Sequence, residues 1–188
     1  GKRGEEVMTR AETTKFLSEL LIADKFRGAG KHWASEVSID PFTTKSKRVD
    51  FMLFYPVDQI SVSGIEKGIF TCYEIKSCKE DVYSGNGLNF LGEKNYIVTT
   101  MECYKDIMAD LRDGIFVKYL KEHYPESSTY FGVMVAIPSH KKLEEEFENV
   151  TPLDASTEWK LAIPIACTTG PRKRPMTELL FCMLRSGR

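Results

Sequence analysis

The amino-acid sequence predicts an α/β fold: a single domain in which a central mixed β-sheet is flanked by helices. The first observation is the order of patterns along the chain. Short apolar segments rich in β-branched and aromatic residues fill the middle, and helical patterns lie at both ends. The second is length, because 188 residues suffice for one full core and are too few for two ordinary ones. No linker-like segment divides residues 1–188.

The chain is expected to begin with a helix over residues 9–26. Its apolar side chains have the spacing of one helical face and comprise Phe16, Leu17, Leu20 and Leu21. Gly28 and Gly30 follow at the place where helices commonly end on glycine. The helix should therefore stop near Phe26.

Four short apolar segments follow and are predicted to be strands, over residues 34–39, 48–55, 68–77 and 95–100. Pro56 ends the second of them, because proline cannot donate to a sheet. A glycine-rich segment, SGNGLNFLG, separates the third strand from the fourth and predicts a loop.

The second half of the chain continues with helices and strands. A helical pattern covers residues 101–123 and is interrupted near Gly114. Beyond it we expect strands at residues 130–137 and 159–165, a short charged helix at 141–147 and a last helix at 176–185. The core of the domain is placed at about residues 9–137, with a C-terminal basic loop and helix in residues 138–188.

Composition excludes several classes of protein. The 26 basic and 27 acidic residues give a net charge of −1, which excludes a histone-like protein but allows a local basic patch that binds phosphate. Five cysteines without a CxxC pair argue against a disulfide scaffold and a structural zinc site, and they indicate reduced thiols in a cytoplasmic protein. No long apolar run and no apolar N-terminal region occur, so we expect no membrane span and no signal peptide.

Three charged residues lie inside segments that are otherwise apolar. Asp50 is within VDFMLF, and Glu74 and Lys76 are within IFTCYEIK. A buried charge without a partner costs several kcal/mol, so such residues need a counter-charge, a metal ion or a catalytic task. Strand side chains alternate between faces, so Glu74 and Lys76 should point the same way. If the strand of Asp50 is the antiparallel neighbour, all three side chains meet on one face of the sheet.

Two convergent carboxylates, together with a backbone carbonyl, suit a hard divalent cation such as Mg²⁺ or Mn²⁺. Such an ion lowers the pKa of a bound water and neutralises charge on a phosphodiester oxygen. Lys76 would orient the attacking water or stabilise the charge that develops during the reaction. The alternative is a structural ion-pair network of Asp50, Glu74 and Lys76 that performs no chemistry.

This pattern resembles the PD-(D/E)XK, or restriction-endonuclease-like, nuclease superfamily, in which an Asp precedes a strand that bears Glu/Asp-x-Lys. The matching residues are Asp50, with Val49 in place of the usual proline, and Glu74-Ile75-Lys76. The string YEIKSCKED is similar to the MmcB-like and phage-borne branches, in which an Asp, here Asp81, follows Glu-x-Lys-Ser. Two flanking segments are also similar, Ser35-Glu36-Val37 upstream and GLNFLGEKNYIVTT downstream.

The resemblance implies a restriction-endonuclease-like core and a metal-dependent deoxyribonuclease that hydrolyses phosphodiester bonds, in phage biology or DNA repair. Asp50 and Glu74 would hold Mg²⁺ or Mn²⁺ together with the backbone carbonyl of Ile75, and Lys76 would be the catalytic lysine. DNA is the implied partner, and a homodimer would allow paired cuts. The alternative is a non-catalytic module on the same fold that binds DNA or a protein.

The family often adds another acidic residue, and three residues compete for that place. We favour Glu36 as a further catalytic residue, because its flanking residues match the phage-borne pattern. Glu12 and Glu19 lie on the predicted first helix, where Thr9-x-x-Glu12 is also a capping box and Glu19 is also explained as the solvated flank of an amphipathic helix. For Asp81, a turn after the third strand competes with a role at the metal site.

Basic residues predict where DNA would bind. The cluster Arg172-Lys173-Arg174 is the strongest candidate for contact with phosphate groups, and a solvated basic loop is its alternative. Lys47 and Arg48, with Lys45 nearby, form a second basic group beside Asp50. This second group would suit the entrance of the substrate.

Overall fold

Six strands form one mixed β-sheet in the computed structural model, which describes residues 7–188. In spatial as in sequence order they are β1 (His32–Ile39), β2 (Lys47–Tyr55), β3 (Ile69–Ile75), β4 (Lys94–Thr100), β5 (Gly132–Pro138) and β6 (Trp159–Ile165). The first three strands are antiparallel neighbours, β3 to β5 are parallel, and β6 is antiparallel to β5. The predicted α/β domain with a central mixed sheet is confirmed, and each strand lies where the sequence places one.

Seven helices occur within residues 7–188. They are α1 (Arg10–Lys25), α2 (Val62–Glu66), α3 (Lys79–Val82), α4 (Met101–Arg112), α5 (Ile115–His123), α6 (Leu143–Glu148) and α7 (Met176–Ser186). The expected break at Gly114 separates α4 from α5. The sequence does not predict α2 and α3, because helices of five and four residues are too short to show an apolar repeat. None of the helices described in this range has the length and apolar character needed to cross a bilayer.

Helices cover both faces of the sheet. On one face, α1 packs in one core with side chains of the inner strands and of the edge strand β6. On the other face the cover is divided, since α4 and α5 pack over β4 and β5, whereas α7 packs over β1 and β2. Between these two groups, the middle of β2 and the C-terminal end of β3 border a cleft. The C-terminal residues complete the same domain, because they supply both a sheet strand and a helix of the core.

Arg174 is the centre of an ion-pair cluster that joins distant segments. Its guanidinium donates to both carboxylate oxygens of Asp40, at 3.0 and 2.8 Å, and to Glu178 at 2.9 Å. Glu126 accepts from Arg174 and from Lys47 Nζ, the latter at 2.7 Å. The hydrogen bonds from Arg174 lower the pKa of Glu126 to about 2. The cluster thus fastens the residues after β1, the start of β2, the turn after α5 and the start of α7 to one another.

We expect Arg174→Ala to lower the free energy of unfolding at neutral pH by about 2 kcal/mol, because three carboxylates lose their shared cation. The depressed pKa of Glu126 means that this contribution is present above the ordinary value of 4.5 and is lost as the pH falls toward about 2. The difference from wild type in urea denaturation should therefore shrink over that range. Lys173→Ala, which changes the exposed neighbour, is the control, and an equal loss in both variants would contradict the expectation.

Candidate active site

The register between β2 and β3 brings two acidic side chains together. Phe51 lies opposite Tyr73 at the end of the paired segment, and Asp50 and Glu74 are the residues next to this pair on the two strands. The two carboxyl groups are close enough to interact, because burial and then the charge of Asp50 raise the pKa of Glu74. Asp50 Oδ2 also accepts a hydrogen bond from the backbone N–H of Ile75 at 2.8 Å. The antiparallel arrangement expected for these strands is confirmed.

Glu74 is fully buried, and its carboxylate is only half satisfied. Its Oε1 accepts from the backbone N–H of Asn89 at 3.3 Å, whereas Oε2 has no hydrogen-bond partner within residues 7–188. Burial and the neighbouring Asp50 charge raise the pKa of Glu74 well above its ordinary value, and burial raises the pKa of Asp50. Because desolvated like charges are costly, the pair is suited to hold a proton or a cation.

Lys76 follows Glu74 by two residues and is 3% exposed. Its Nζ donates to the backbone carbonyls of Asn86 at 2.6 Å and Asp81 at 3.2 Å, and it lies 3.8 Å from the Asp81 carboxylate. Asp81 Oδ2 accepts from the backbone N–H and the hydroxyl of Ser77, at 2.9 and 3.0 Å. Asp81 therefore holds the turn from β3 into α3 and also places negative charge beside the lysine.

The loop between α3 and β4 closes over these side chains at a glycine. Gly87 has a φ of +73°, and a Cβ atom there would lie 3.2 Å from Lys76 Nζ and 3.3 Å from Glu74 Oε2. Both distances are shorter than ordinary van der Waals contact, so a side chain at this position would displace one of the charged groups. Gly85 has a similar φ of +84°, but a Cβ atom there would meet nothing within 4 Å.

A cleft of about 1100 Å³ opens beside this cluster. Its lining includes Asp50, Ile75 and Lys76 from the sheet and from the residue that follows β3. Residues 45–48 at the start of β2 and residues 123–127 at the end of α5 supply two further parts of the lining. Asp50 and Lys76 are therefore within reach of a ligand that enters the cleft, whereas Glu74 is fully buried beside them and is not among the described residues that line it.

The side chains that could hold a metal ion are few. Within residues 7–188, no group of three or more histidine, cysteine, aspartate or glutamate side chains is arranged to bind a metal. Asp50, Glu74 and the backbone carbonyl of Ile75 are the donors at this site, and the unpartnered Oε2 of Glu74 fits a hard cation. Mg²⁺ is commonly held by one or two carboxylates and keeps several oxygen donors from water or substrate. The donors present fit this pattern.

The three candidates for an additional acid lie in different surroundings. Glu36 is on β1, where the register sets it against Asp50, but its φ of +50° accompanies a gap in the pairing and its side chain is exposed. It is not among the described residues that line the cleft. Glu12 forms the capping box with Thr9, and Glu19 is exposed on α1 in an ion pair. A catalytic role for Glu36 stays a prediction. Among the described residues, the carboxylates that lie together at this site are those of Asp50 and Glu74.

The basic cluster Arg172-Lys173-Arg174 is largely engaged inside the protein. Arg172 Nη1 is 2.6 Å from Glu93 Oε1. Arg174 forms ion pairs with the carboxylates of Asp40 and Glu178. Only Lys173 has an exposed side chain. Contact of these residues with DNA stays a prediction, because both guanidinium groups would first have to leave their carboxylates.

The second basic group borders the cleft. Lys47 and Arg48 both line it, as does Lys45. Lys47 is bonded to Glu126, whereas Lys45 and Arg48 are exposed. Arg48 precedes Asp50 by two residues on β2, and both residues line the cleft. These positions agree with a substrate entrance, and the binding of DNA there stays a prediction.

Sequence reasoning does not find two residues that shape the site. Asn89 donates from its backbone to Glu74 and from Nδ2 to the carbonyl of Arg48 at 3.0 Å, so it joins β2 to β3. Tyr124 lines the cleft, and its buried hydroxyl has no hydrogen-bond partner among residues 7–188. The only sequence signal for Asn89 is its place in the glycine-rich loop, and Tyr124 has none because it is far from the motif along the chain.

Comparison with known proteins identifies no relative. No protein-family model matches the chain, and neither a curated protein nor a solved structure is significantly similar to it. The function must therefore be argued from the geometry of the site.

We expect Glu74→Gln to raise the free energy of unfolding in EDTA near pH 8 by about 1–3 kcal/mol, because it removes an incompletely compensated buried charge. A folded-state pKa above the ordinary value means that the carboxyl's contribution to stability is present below the ordinary pKa and is lost as pH rises through the folded value. Wild-type stability should thus decline toward alkaline pH more steeply than that of the variant.

Chemical denaturation across pH measures both quantities. Glu36→Gln is the control, since it removes an exposed carboxylate and should leave the stability nearly unchanged. A Glu74→Gln protein that is less stable than wild type at alkaline pH would contradict the proposed repulsion between Asp50 and Glu74.

Proposed function

We propose that the protein is a metal-dependent nuclease that hydrolyses phosphodiester bonds in DNA. The observation that carries the proposal is the pair of neighbouring carboxylates, Asp50 and Glu74, with Lys76 beside them at a cleft. The proposal includes a restriction-endonuclease-like core, with Mg²⁺ or Mn²⁺ as the cofactor. It also includes DNA as the partner, a cytoplasmic location and a role in phage biology or DNA repair.

Energetics support a functional origin of this arrangement. Apolar residues of similar size would fill the same positions without the cost of desolvating two like charges. Glu74 is fully buried, and one of its oxygens has no partner in the described part of the chain. Such an arrangement is expected where a cation binds, because the cation supplies the missing compensation. Lys76 alone cannot provide it, since its Nζ is bonded to two backbone carbonyls.

The chemistry follows from the donors at the cleft. A bound divalent ion would supply a water of lowered pKa and positive charge beside the phosphodiester. Asp50, Glu74 and the carbonyl of Ile75 would hold that ion. The ammonium of Lys76 would exchange the carbonyl of Asn86 for a non-bridging phosphate oxygen and stabilise its charge. In the hydrolysis, the water oxygen bonds to phosphorus, the bond from phosphorus to the leaving sugar oxygen breaks, and that oxygen takes up a proton.

A non-catalytic module that binds DNA or a protein is the second candidate. It is favoured by the number of convergent acids, because only two carboxylates meet and Glu36 does not line the cleft. It is also favoured by the hydrogen bonds that Lys76 donates to the backbone carbonyls of Asp81 and Asn86. Under this alternative a divalent ion would change neither the binding of a ligand nor its integrity. A homodimer is compatible with both functions and would pair two clefts.

The test of the proposal is cleavage by the full chain of linear duplex, single-stranded DNA, nicked circle, four-way junction and RNA, in EDTA, Mg²⁺ and Mn²⁺. We expect cleavage only with metal, and a rate lower by about 100-fold or more in Lys76→Met. Methionine keeps much of the volume of the side chain while it removes the charge. Lys160→Met, on β6 outside the cleft, should cut like wild type. No metal-dependent cleavage of any substrate by wild type would overturn the proposal.

We expect Gly87→Ala to cut more slowly than Gly85→Ala by about ten-fold or more, because small displacements of catalytic groups are costly. Both glycines have a positive φ, so alanine strains the backbone at each by a similar amount, about 1–2 kcal/mol. Only at Gly87 would the new Cβ atom press on Lys76 and Glu74. Equal cleavage rates in the two variants would show that the close approach at Gly87 has no part in the reaction.

A further inference from the structure

The groups assigned to chemistry lie below the surface of the protein. Glu74 is 0% exposed and Lys76 is 3% exposed, and the loop at Gly87 closes over both. A phosphodiester must therefore be carried into the cleft to reach them. A double helix is stiff over about 150 base pairs, so bending one strand sharply into a recess costs deformation energy. A single strand has no such stiffness.

An ion pair joins two segments of the cleft lining. Lys47 Nζ, from the start of β2, is 2.7 Å from Glu126 Oε2, in the turn after α5. Glu126 is held in addition by Arg174, which also binds Asp40. These ion pairs oppose any separation of the start of β2 from the turn after α5. A ligand that enters the cleft without widening it is therefore favoured.

The charge of the lining fits a phosphate backbone. Lys45 and Arg48 both line the cleft with exposed side chains, and neither is in an ion pair with another residue of the described range 7–188. Arg48 and Asp50 lie two residues apart on β2, and both line the cleft. A strand whose phosphate reaches Asp50 would thus pass both cations, which need not leave a protein carboxylate to bind it.

The opposite part of the lining offers an aromatic surface. The imidazole of His123 is stacked on the ring of Tyr119, with centroids 4.2 Å apart, and its Nδ1 is 3.1 Å from the carbonyl oxygen of Tyr119. These contacts fix the orientation of the ring. His123 is nevertheless exposed and lines the cleft, so a base that enters the cleft can reach this residue. A basic groove with an aromatic platform is the combination that binds single-stranded nucleic acid.

We propose that this cleft binds single-stranded DNA in preference to duplex DNA, with Lys45 and Arg48 along the phosphates and His123 stacked on a base. The inference rests on the proposed nuclease function, since it names the substrate class of the same site. It adds a claim about binding that does not require cleavage.

The test is fluorescence anisotropy of the full wild-type chain in EDTA, with a labelled oligothymidylate of about 20 nucleotides and a DNA hairpin duplex of about 20 base pairs as probes. We expect the single strand to bind about ten-fold tighter or more. His123→Ala should weaken its binding about five-fold or more and leave the duplex unaffected, as loss of one stacking contact requires. Arg48→Ala should lower the slope of log affinity against log salt by about 0.7 for the single strand.

Two variants serve as matched controls. His140→Ala removes an exposed imidazole outside the cleft, and Lys67→Ala removes an exposed cation outside it. Both should bind the single strand like wild type. Duplex binding that equals or exceeds single-strand binding, or a His123→Ala effect equal on both probes, would overturn the inference. An oligouridylate that binds tighter than the oligothymidylate would also overturn it, because the preferred strand would then be RNA.

Failure of the two proposals can be told apart. A chain that prefers the single strand in EDTA but cuts nothing with Mg²⁺ or Mn²⁺ would refute the nuclease and support the substrate preference as a binding property. A chain that cuts with metal but binds duplex more tightly would support the nuclease and refute the preference for a single strand.

Discussion

The candidate site depends on the pairing register of β2 and β3, which ends at Phe51 and Tyr73 and brings the next residues, Asp50 and Glu74, close together. A shift of one residue would move Asp50 to the opposite face, because strand side chains alternate. The register is fixed by apolar packing on both faces, with Phe51 in the core under α1 and Met52 in the core under α7. Two hydrophobic cores thus hold two like charges together. Each carboxylate is kept in place by its apolar neighbours rather than by attraction to the other, and the repulsion is left for a bound cation or a proton to relieve.

The segment between β3 and β4 contacts the charged groups of Glu74 and Lys76. It supplies the backbone N–H of Asn89 to Glu74 and backbone carbonyls to Lys76, and Gly87 lets it approach both. The lysine thus donates to two neutral carbonyls and lies 3.8 Å from the Asp81 carboxylate. A phosphate can replace the carbonyls, because a charged acceptor competes well against a neutral one. The segment and the sheet together keep Lys76 ordered, and they leave its carbonyl acceptors replaceable by a phosphate.

Most of the fold could be predicted from the sequence because its signals are local. The strands are short apolar segments, and α1 shows a helical stripe that ends at glycine. Asp50, Glu74 and Lys76 could also be singled out, since a charge inside an apolar strand is visible without any partner. The internal pairing of Arg174 could not be predicted, because its partners come from distant parts of the chain. The positive φ of Glu36 was equally hidden, as no glycine marks it.

Partners that are distant along the chain also determine which Lys and Arg side chains are ion-paired and which remain exposed. A basic cluster in the sequence shows only how many positive charges are near one another along the chain. The number of these charges that are neutralised depends on contacts made in the folded chain. Arg174, for example, forms ion pairs with carboxylates from three segments. Lys45 and Arg48 keep exposed side chains beside the cleft, whereas Lys47 next to them is bonded to Glu126. Lys47 therefore joins two segments of the cleft lining, whereas Lys45 and Arg48 form no ion pair within residues 7–188 and can attract a ligand. The cluster Arg172-Lys173-Arg174, which is the stronger basic signal in the sequence, thus mainly stabilises the fold. The weaker group, which includes Lys45 and Arg48, supplies the surface on which phosphate can bind.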